Sequence, residues 1–197
     1  DLAIRIGYPA DSSRIARAIA PIPRYVCAAP AYLERRGIPE SPQDLLQHDC
    51  LHYNLISERE EWTFLGDSGE QTLAIKGSFC SNNGDVLAEA AAQGLGVTLL
   101  PSFIVEQGLA DGRLVTVLDE YARTPLTLFA LYPSRQLVPA KTRRFLDHLL
   151  TEFAQSATSA DRPRPAQPAA TRCAYRRKLR RRSLVPVRPG RCRRFRN

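Results

Sequence analysis

The stretch SNNGDVLAEAAAQGLGVTLLPSFIVEQGLADGRLVTVL, residues 81–118, carries the clearest structural instruction in the chain. Asn82 or Asn83 can cap a helix that runs through Ala92, and Gly94 can end it. Val97 to Leu100 then read as a short buried strand. Pro101 is suited to open a second helix, with Gly108 closing it and Asp111-Gly112 turning into a strand over Leu114 to Leu118. Helix, strand, helix and strand in succession imply an α/β architecture.

The flanking sequence continues the pattern. LAIRI alternates apolar and charged residues as a strand does over residues 1–6, and Gly7, Pro9 and Asp11 break it. Tyr25 to Ala28 suit a buried strand, followed by a helix from Pro30 to a stop at Gly37. Ser41, Pro42 and Asp44 mark the start of another helix. Short strands are expected at about 50–54, 61–65, 71–76 and 77–81, with Trp62 as bulk in their core. TPLTLFALYP reads as a further strand. PAKTRRFLDHLLTEFA reads as an amphipathic helix, with Phe145, Leu146, Leu149, Leu150 and Phe153 on one face.

Composition divides the chain sharply. Residues 1–155 hold 14 Lys and Arg against 19 Asp and Glu, a net −5, whereas residues 156–197 hold 14 against 1, a net +13. The formal charge of +8 therefore comes from the tail. After Ala154 the helical periodicity stops, and a Pro- and Arg-rich segment with few aliphatics is expected to be disordered. YRRKLRRR, residues 175–182, suits nucleic-acid phosphates, or equally is sequence read past the natural end of the domain. No apolar run reaches bilayer length and no signal peptide opens the chain, so a cytoplasmic location and no membrane contact are expected. The first residue is Asp1 and there is no methionine, as expected of a piece of a longer chain. The five cysteines, Cys27, Cys50, Cys80, Cys173 and Cys192, lack paired CxxC spacing and are expected to be reduced thiols.

No catalytic constellation emerges, since three scattered histidines supply no convergent acid, base or nucleophile. No cofactor is expected. The GLG of Gly94 and Gly96 follows a helix and precedes a strand, the reverse of a dinucleotide fingerprint. His48, Cys50 and His52 alternate and would share a strand face, so a metal set is conceivable, but a loop leading into a half-exposed strand is the simpler reading. Cys27 and Cys80 are expected at strand ends, as small apolar residues or as redox-active thiols. The best binding candidates are Ser81, Asn82, Asn83 and Gly84, where a helix begins at an open loop and offers backbone N–H groups to an anion or carboxylate. The asparagines equally suit plain capping, and the charge of Asp85 competes for the same helix end. Pro101 and Ser102 begin a helix just after a buried strand, the carboxyl edge at which open α/β sheets bind ligands.

DLAIRIG, AAPAYLERRGIPESPQDLLQHDCLHY, NNGDVLAEAAAQGLGVTLLP with the following DGRLV, and FALYPSRQLVPAKTRRFLDHL occur in an order and spacing that resemble the effector-binding domains of LysR-type transcriptional regulators over roughly residues 1–154. The resemblance implies two Rossmann-like lobes of the periplasmic-binding-protein type, with an effector in the cleft. Crossover strands are expected near Tyr25 to Ala29 and Thr127 to Tyr132. Residues 1–28 with 128–154 would form the first lobe, incomplete at its start, residues 29–127 the second, and 155–197 a basic tail. Tyr8 and Pro9 would face the cleft. The resemblance further implies a small-molecule effector, homo-oligomerisation of the full regulator, and DNA contact through a helix-turn-helix that this chain lacks. The expected function is therefore ligand sensing through lobe closure. The rival of the same two-lobed plan is a stand-alone solute-binding protein.

Overall fold

A computed structural model of the chain describes residues 2–7, 15–54, 61–66, 69–123, 125–132 and 139–160. The chain divides into two compact units, residues 1–165 and 166–197, and the second lies outside the described residues. Strand β1 (Ala3–Gly7) is followed by β2 (Ile15–Ile22), β3 (Arg24–Ala28), helix α1 (Pro30–Arg36), a 3-10 helix (Pro42–Gln47), β4 (Cys50–Tyr53), β5 (Glu61–Gly66), β6 (Gly69–Ala74) and β7 (Gly77–Ser81). Then come α2 (Gly84–Ala92), β8 (Val97–Pro101), α3 (Ser102–Ala110), β9 (Val115–Val117), β10 (Ala122–Arg123), β11 (Leu126–Tyr132) and α4 (Ala140–Ala160).

The centre is β8, whose five residues VTLLP are all buried. A strand with no solvent face needs cover on both sides and partners on both edges. It runs parallel to β4 and antiparallel to β3 in a five-stranded mixed sheet of order β7-β4-β8-β3-β9. Helices α2 and α3 pack on this sheet and on each other, burying Leu87, Ala91, Val105 and Leu109 with Cys27, Leu51, Leu100 and Leu114. Thr98, the polar member of β8, is satisfied by donating to the Leu51 carbonyl at 3.2 Å. Two smaller antiparallel sheets, β1-β11-β2 and β10-β5-β6, complete a mixed α/β architecture. Trp62 is buried in β5, as its bulk led us to expect.

Several sequence expectations are corrected. The strand β2 was not anticipated, because its pattern is mostly exposed and carries no clear alternation. The chain changes sheets at Pro23, between β2 and β3, and Arg24–Ala28 pair within the five-stranded sheet. Gly108 does not close α3. It lies buried inside a helix that reaches Ala110, where a side chain would press on Leu114. Pro101 ends β8 and caps α3 instead of opening it. The helix expected after Ser41 forms with Ser41 as N-cap and Pro42 at its start, but as a 3-10 helix. Its Asp44 accepts the N–H groups of Ser41 and Glu40 at 2.9 Å, and these bonds, that of Ser41 foremost, hold the carboxyl below its usual range. Helix α4 continues to Ala160, past the expected boundary at 154, since nothing from Gln155 to Ala160 is a glycine or proline. On its expected apolar face Leu146 is buried, but Phe145 is 47% exposed. The remainder of the basic tail, residues 161–197, lies outside the described residues.

The register of β8 is fixed at its first residue. The Asp49 carbonyl accepts the Val97 N–H at 2.8 Å, and a Cβ on Gly96 would run into that same carbonyl. Tyr32 of α1 braces the junction from below. Fully buried, its hydroxyl accepts the Asp49 N–H at 2.8 Å and stands 3.2 Å from His48 Nδ1. Burial pushes the phenol pKa up. Arg35 covers the Tyr32 ring, 5.7 Å from its centroid, and donates to the Gly94 carbonyl at 2.9 Å.

Gly96→Ala is therefore expected to lower unfolding free energy by about 1–3 kcal/mol, the usual cost of forcing an atom into a packed site. Leu95→Ala, at a neighbouring side chain 51% exposed, should stay within about 0.5 kcal/mol. Urea unfolding of the two variants measures both, and equal effects would contradict the close approach.

Candidate functional site

Because β4 is parallel to both β7 and β8, the carboxyl ends of the three strands, Tyr53, Ser81 and Pro101, reach the same edge of the sheet. Tyr53 is in register with Ser81, and the Asn54 N–H donates to the Ser81 carbonyl at 3.2 Å. Helices α2 and α3 both start from this edge. Open α/β sheets bind ligands at such carboxyl edges. Here it forms an open groove of about 520 Å³ lined by Tyr53, Asn82, Asn83, Gly84, Asp85, Phe103 and Ile104.

Each wall has a local cause. Ser81 Oγ accepts the Asn83 N–H at 3.0 Å, which turns the chain out of β7. Asn83 Oδ1 then accepts the N–H groups of Asp85 at 2.9 Å and Val86 at 3.4 Å, so Asn83 is the N-cap of α2. Gly84 is buried where α2 approaches α3, and a side chain there would meet Ile104. Across the groove the Ser102 N–H donates to the Pro23 carbonyl at 2.8 Å, which anchors the start of α3 and presents Phe103, 54% exposed.

Of the residues expected to bind, Asn82, Asn83 and Gly84 line the groove. Ser81 supports it through its hydrogen bond, while Pro101 is buried beneath it and Ser102 is half-buried beside it. Tyr8 and Pro9 lie outside the described residues. Tyr53, Phe103 and Ile104 were missed. Phe103 and Ile104 sit in an apolar helix that reads as core, and only the offset from Pro101 hinted that they open onto the edge. Capping also changes the electrostatics expected of the helix start. Two of its N–H donors are engaged by Asn83, and Asp85 is the one charged residue among the described lining. The described lining accordingly presents amide, phenol and aromatic groups and no positive charge.

The other sequence candidates fall elsewhere. Cys50 and His52 are buried in β4, and His48 precedes the strand, turned toward Tyr32. Cys50 donates to the Leu45 carbonyl at 3.4 Å, and burial pushes its thiol pKa up to about 12. Among the described residues no group of three or more His, Cys, Asp and Glu could hold a metal ion. Cys27 is buried within β3, and Cys80 is exposed on the edge strand β7.

The LysR substrate binding domain model matches residues 1–154. An uncharacterised HTH-type transcriptional regulator of Haemophilus influenzae is 37% identical over 141 residues, covering 72% of this chain and 49% of that protein. The regulatory domain of CrgA, a LysR-type transcriptional regulator of Neisseria meningitidis, has 31% identity and a TM-score of 0.64 over 77% of this chain and 74% of that one. Full-length AphB, a Vibrio cholerae virulence activator, has 29% identity and a TM-score of 0.65 over 77% of this chain and 51% of that one. The chain spans about half the length of the curated relatives it matches.

Asn83→Ala should cost about 1 kcal/mol of stability through loss of the cap, read by thermal or urea unfolding. Asn82→Ala, which removes no cap bond, should cost little. Thiol labelling of the native chain followed by peptide mapping should modify Cys80 readily and leave Cys27 and Cys50 untouched until denaturant is added. Native labelling of Cys50 would contradict its burial.

Proposed function

This chain belongs to the LysR substrate-binding domain family, and we propose that it is the effector-sensing module of a transcriptional regulator, with the groove at the carboxyl edge of β4, β7 and β8 as one wall of the effector site. The observation that supports this reading is the convergence of three strand ends and two helix starts on one concave face. Amide and phenol groups from Asn82, Asn83 and Tyr53 would orient a small polar ligand, and Phe103 would cover its apolar part. Among the described lining residues Asp85 carries the one charge, so a carboxylate effector would meet neutral donors there.

Residues 29–127 are taken as the second lobe and residues 1–28 with 128–154 as part of the first, which would supply the opposite wall. The change of sheet at Pro23, and the return of the chain to the first sheet in β11, support two structural halves. A ligand that binds both walls favours the closed arrangement by its differential affinity for it. Closure would alter how subunits of the full regulator sit on one another and, through its helix-turn-helix, on DNA. Relatives named as transcriptional regulators favour sensing over catalysis and a cytoplasmic setting. No helix among the described residues is long and apolar enough to cross a membrane.

Thermal-shift screening against aromatic and aliphatic carboxylates, amino acids and sugars should yield a ligand that raises the melting temperature by mass action, adding about 2.7 kcal/mol of unfolding free energy at a hundredfold excess over Kd. Phe103→Ala should weaken that ligand about 2- to 10-fold with little change in unliganded stability, since the ring is half in solvent. A ligand whose affinity ignores Phe103, Tyr53 and Asn82 substitutions together would move the site elsewhere.

A further inference from the structure

We infer that His48, Tyr32 and Asp49 form a proton-operated hydrogen-bond switch at the foot of β8, in which protonation of His48 moves the phenol proton of Tyr32 from the His48 ring to the Asp49 carboxylate. A phenol has one proton to donate and an oxygen that can accept. The Tyr32 oxygen accepts the Asp49 N–H at 2.8 Å, and two acceptors compete for its proton: His48 Nδ1 at 3.2 Å and Asp49 Oδ2 at 3.3 Å. While the ring is neutral with its hydrogen on Nε2, Nδ1 takes the phenol proton. Asp49 Oδ2 then keeps Arg36 Nε at 3.5 Å as its partner.

An imidazolium carries hydrogen on both nitrogens, so Nδ1 must become a donor. The Tyr32 oxygen accepts that hydrogen, and the phenol proton turns to Asp49 Oδ2. One proton is taken up from solvent and one O–H rotates. The Tyr32 oxygen, His48 Nδ1 and Asp49 Oδ2 each keep a partner in both states, which lets the junction hold two bond sets instead of breaking.

The groups facing His48 oppose one another. From α1 come Tyr32 and Arg36, from the 3-10 helix Asp44, and at the head of β4 Asp49. Arg35 lies against the Tyr32 ring and is tied to the Gly94 carbonyl. Burial, then Arg36, pushes the His48 pKa below its ordinary 6.5, while Asp44 and Asp49 pull it up. The unfolded chain thus binds more protons between the folded value and 6.5. Stability is full above about pH 6.5 and declines as pH falls through that window. The place affected is the one where the Asp49 carbonyl receives the Val97 N–H, at the opposite end of β8 from the groove.

Nitrogen and carbon NMR of the full chain tests the switch. Above pH 7 the His48 ring should show a bare Nδ1 and a protonated Nε2, and on acidification the Asp49 carboxyl carbon should shift with the His48 midpoint. In Tyr32→Phe that shift should shrink by about half or more, because only charge, and no shared hydrogen, then links the two. His48→Gln keeps an acceptor near Tyr32 and should flatten the decline in stability below about pH 6.5 relative to the unmodified chain. A hydrogen on Nδ1 at neutral pH, or an Asp49 signal unmoved through the His48 titration, overturns the inference. Should Tyr32→Phe not fold, the tautomer, the Asp49 shift and the His48→Gln profile decide it.

Discussion

The fold depends on one constraint, the burial of β8 on both faces. Val97, Leu99 and Leu100 need apolar cover above and below, and every backbone group between them needs a partner. Parallel pairing with β4 and antiparallel pairing with β3 meet the second need. Helices α2 and α3 contribute the cover on one face. The start of the strand leaves no slack, since the Asp49 carbonyl sits where a side chain on Gly96 would be. A slip by one residue would turn Thr98, now satisfied by the Leu51 carbonyl, to the other side of the sheet.

The candidate site follows from that strand direction. Parallel neighbours bring Tyr53, Ser81 and Pro101 to one edge, where β7 leads into α2 through two residues and β8 leads directly into α3. Asn83 ties the start of α2 and the Ser102 N–H the start of α3, so both helix starts that border the groove are held by hydrogen bonds. Binding groups held on such a scaffold lose little entropy when a ligand arrives. The same capping engages two of the N–H donors that the bare sequence offered to an anion.

Much of this was legible in residues 81–118. The helix, strand, helix and strand expected there occur as Gly84–Ala92, Val97–Pro101, Ser102–Ala110 and Val115–Val117, because caps, prolines and apolar runs agree locally. Gly108 misled, since a glycine inside a helix can serve close packing, here against Leu114, as well as termination. Strand β2 was invisible because its exposed residues follow no period, and its pairing with β11 is a long-range fact. At the site, the asparagines announced themselves as caps. Phe103 did not, because whether an aromatic residue near a helix start points inward or outward is set by the sheet beneath it. The role of Tyr32 was likewise hidden, as its partners His48 and Asp49 lie 16 and 17 residues away.

Amide hydrogen exchange of the chain, with and without a ligand that raises its melting temperature, tests the central claim most directly. The account predicts that the largest gains in protection fall at residues 53–54, 81–87 and 102–104, the strand ends and helix starts of the groove, with smaller gains along β8. Protection concentrated on α4 or on the β5 and β6 strands, with the groove segments unchanged, would contradict it.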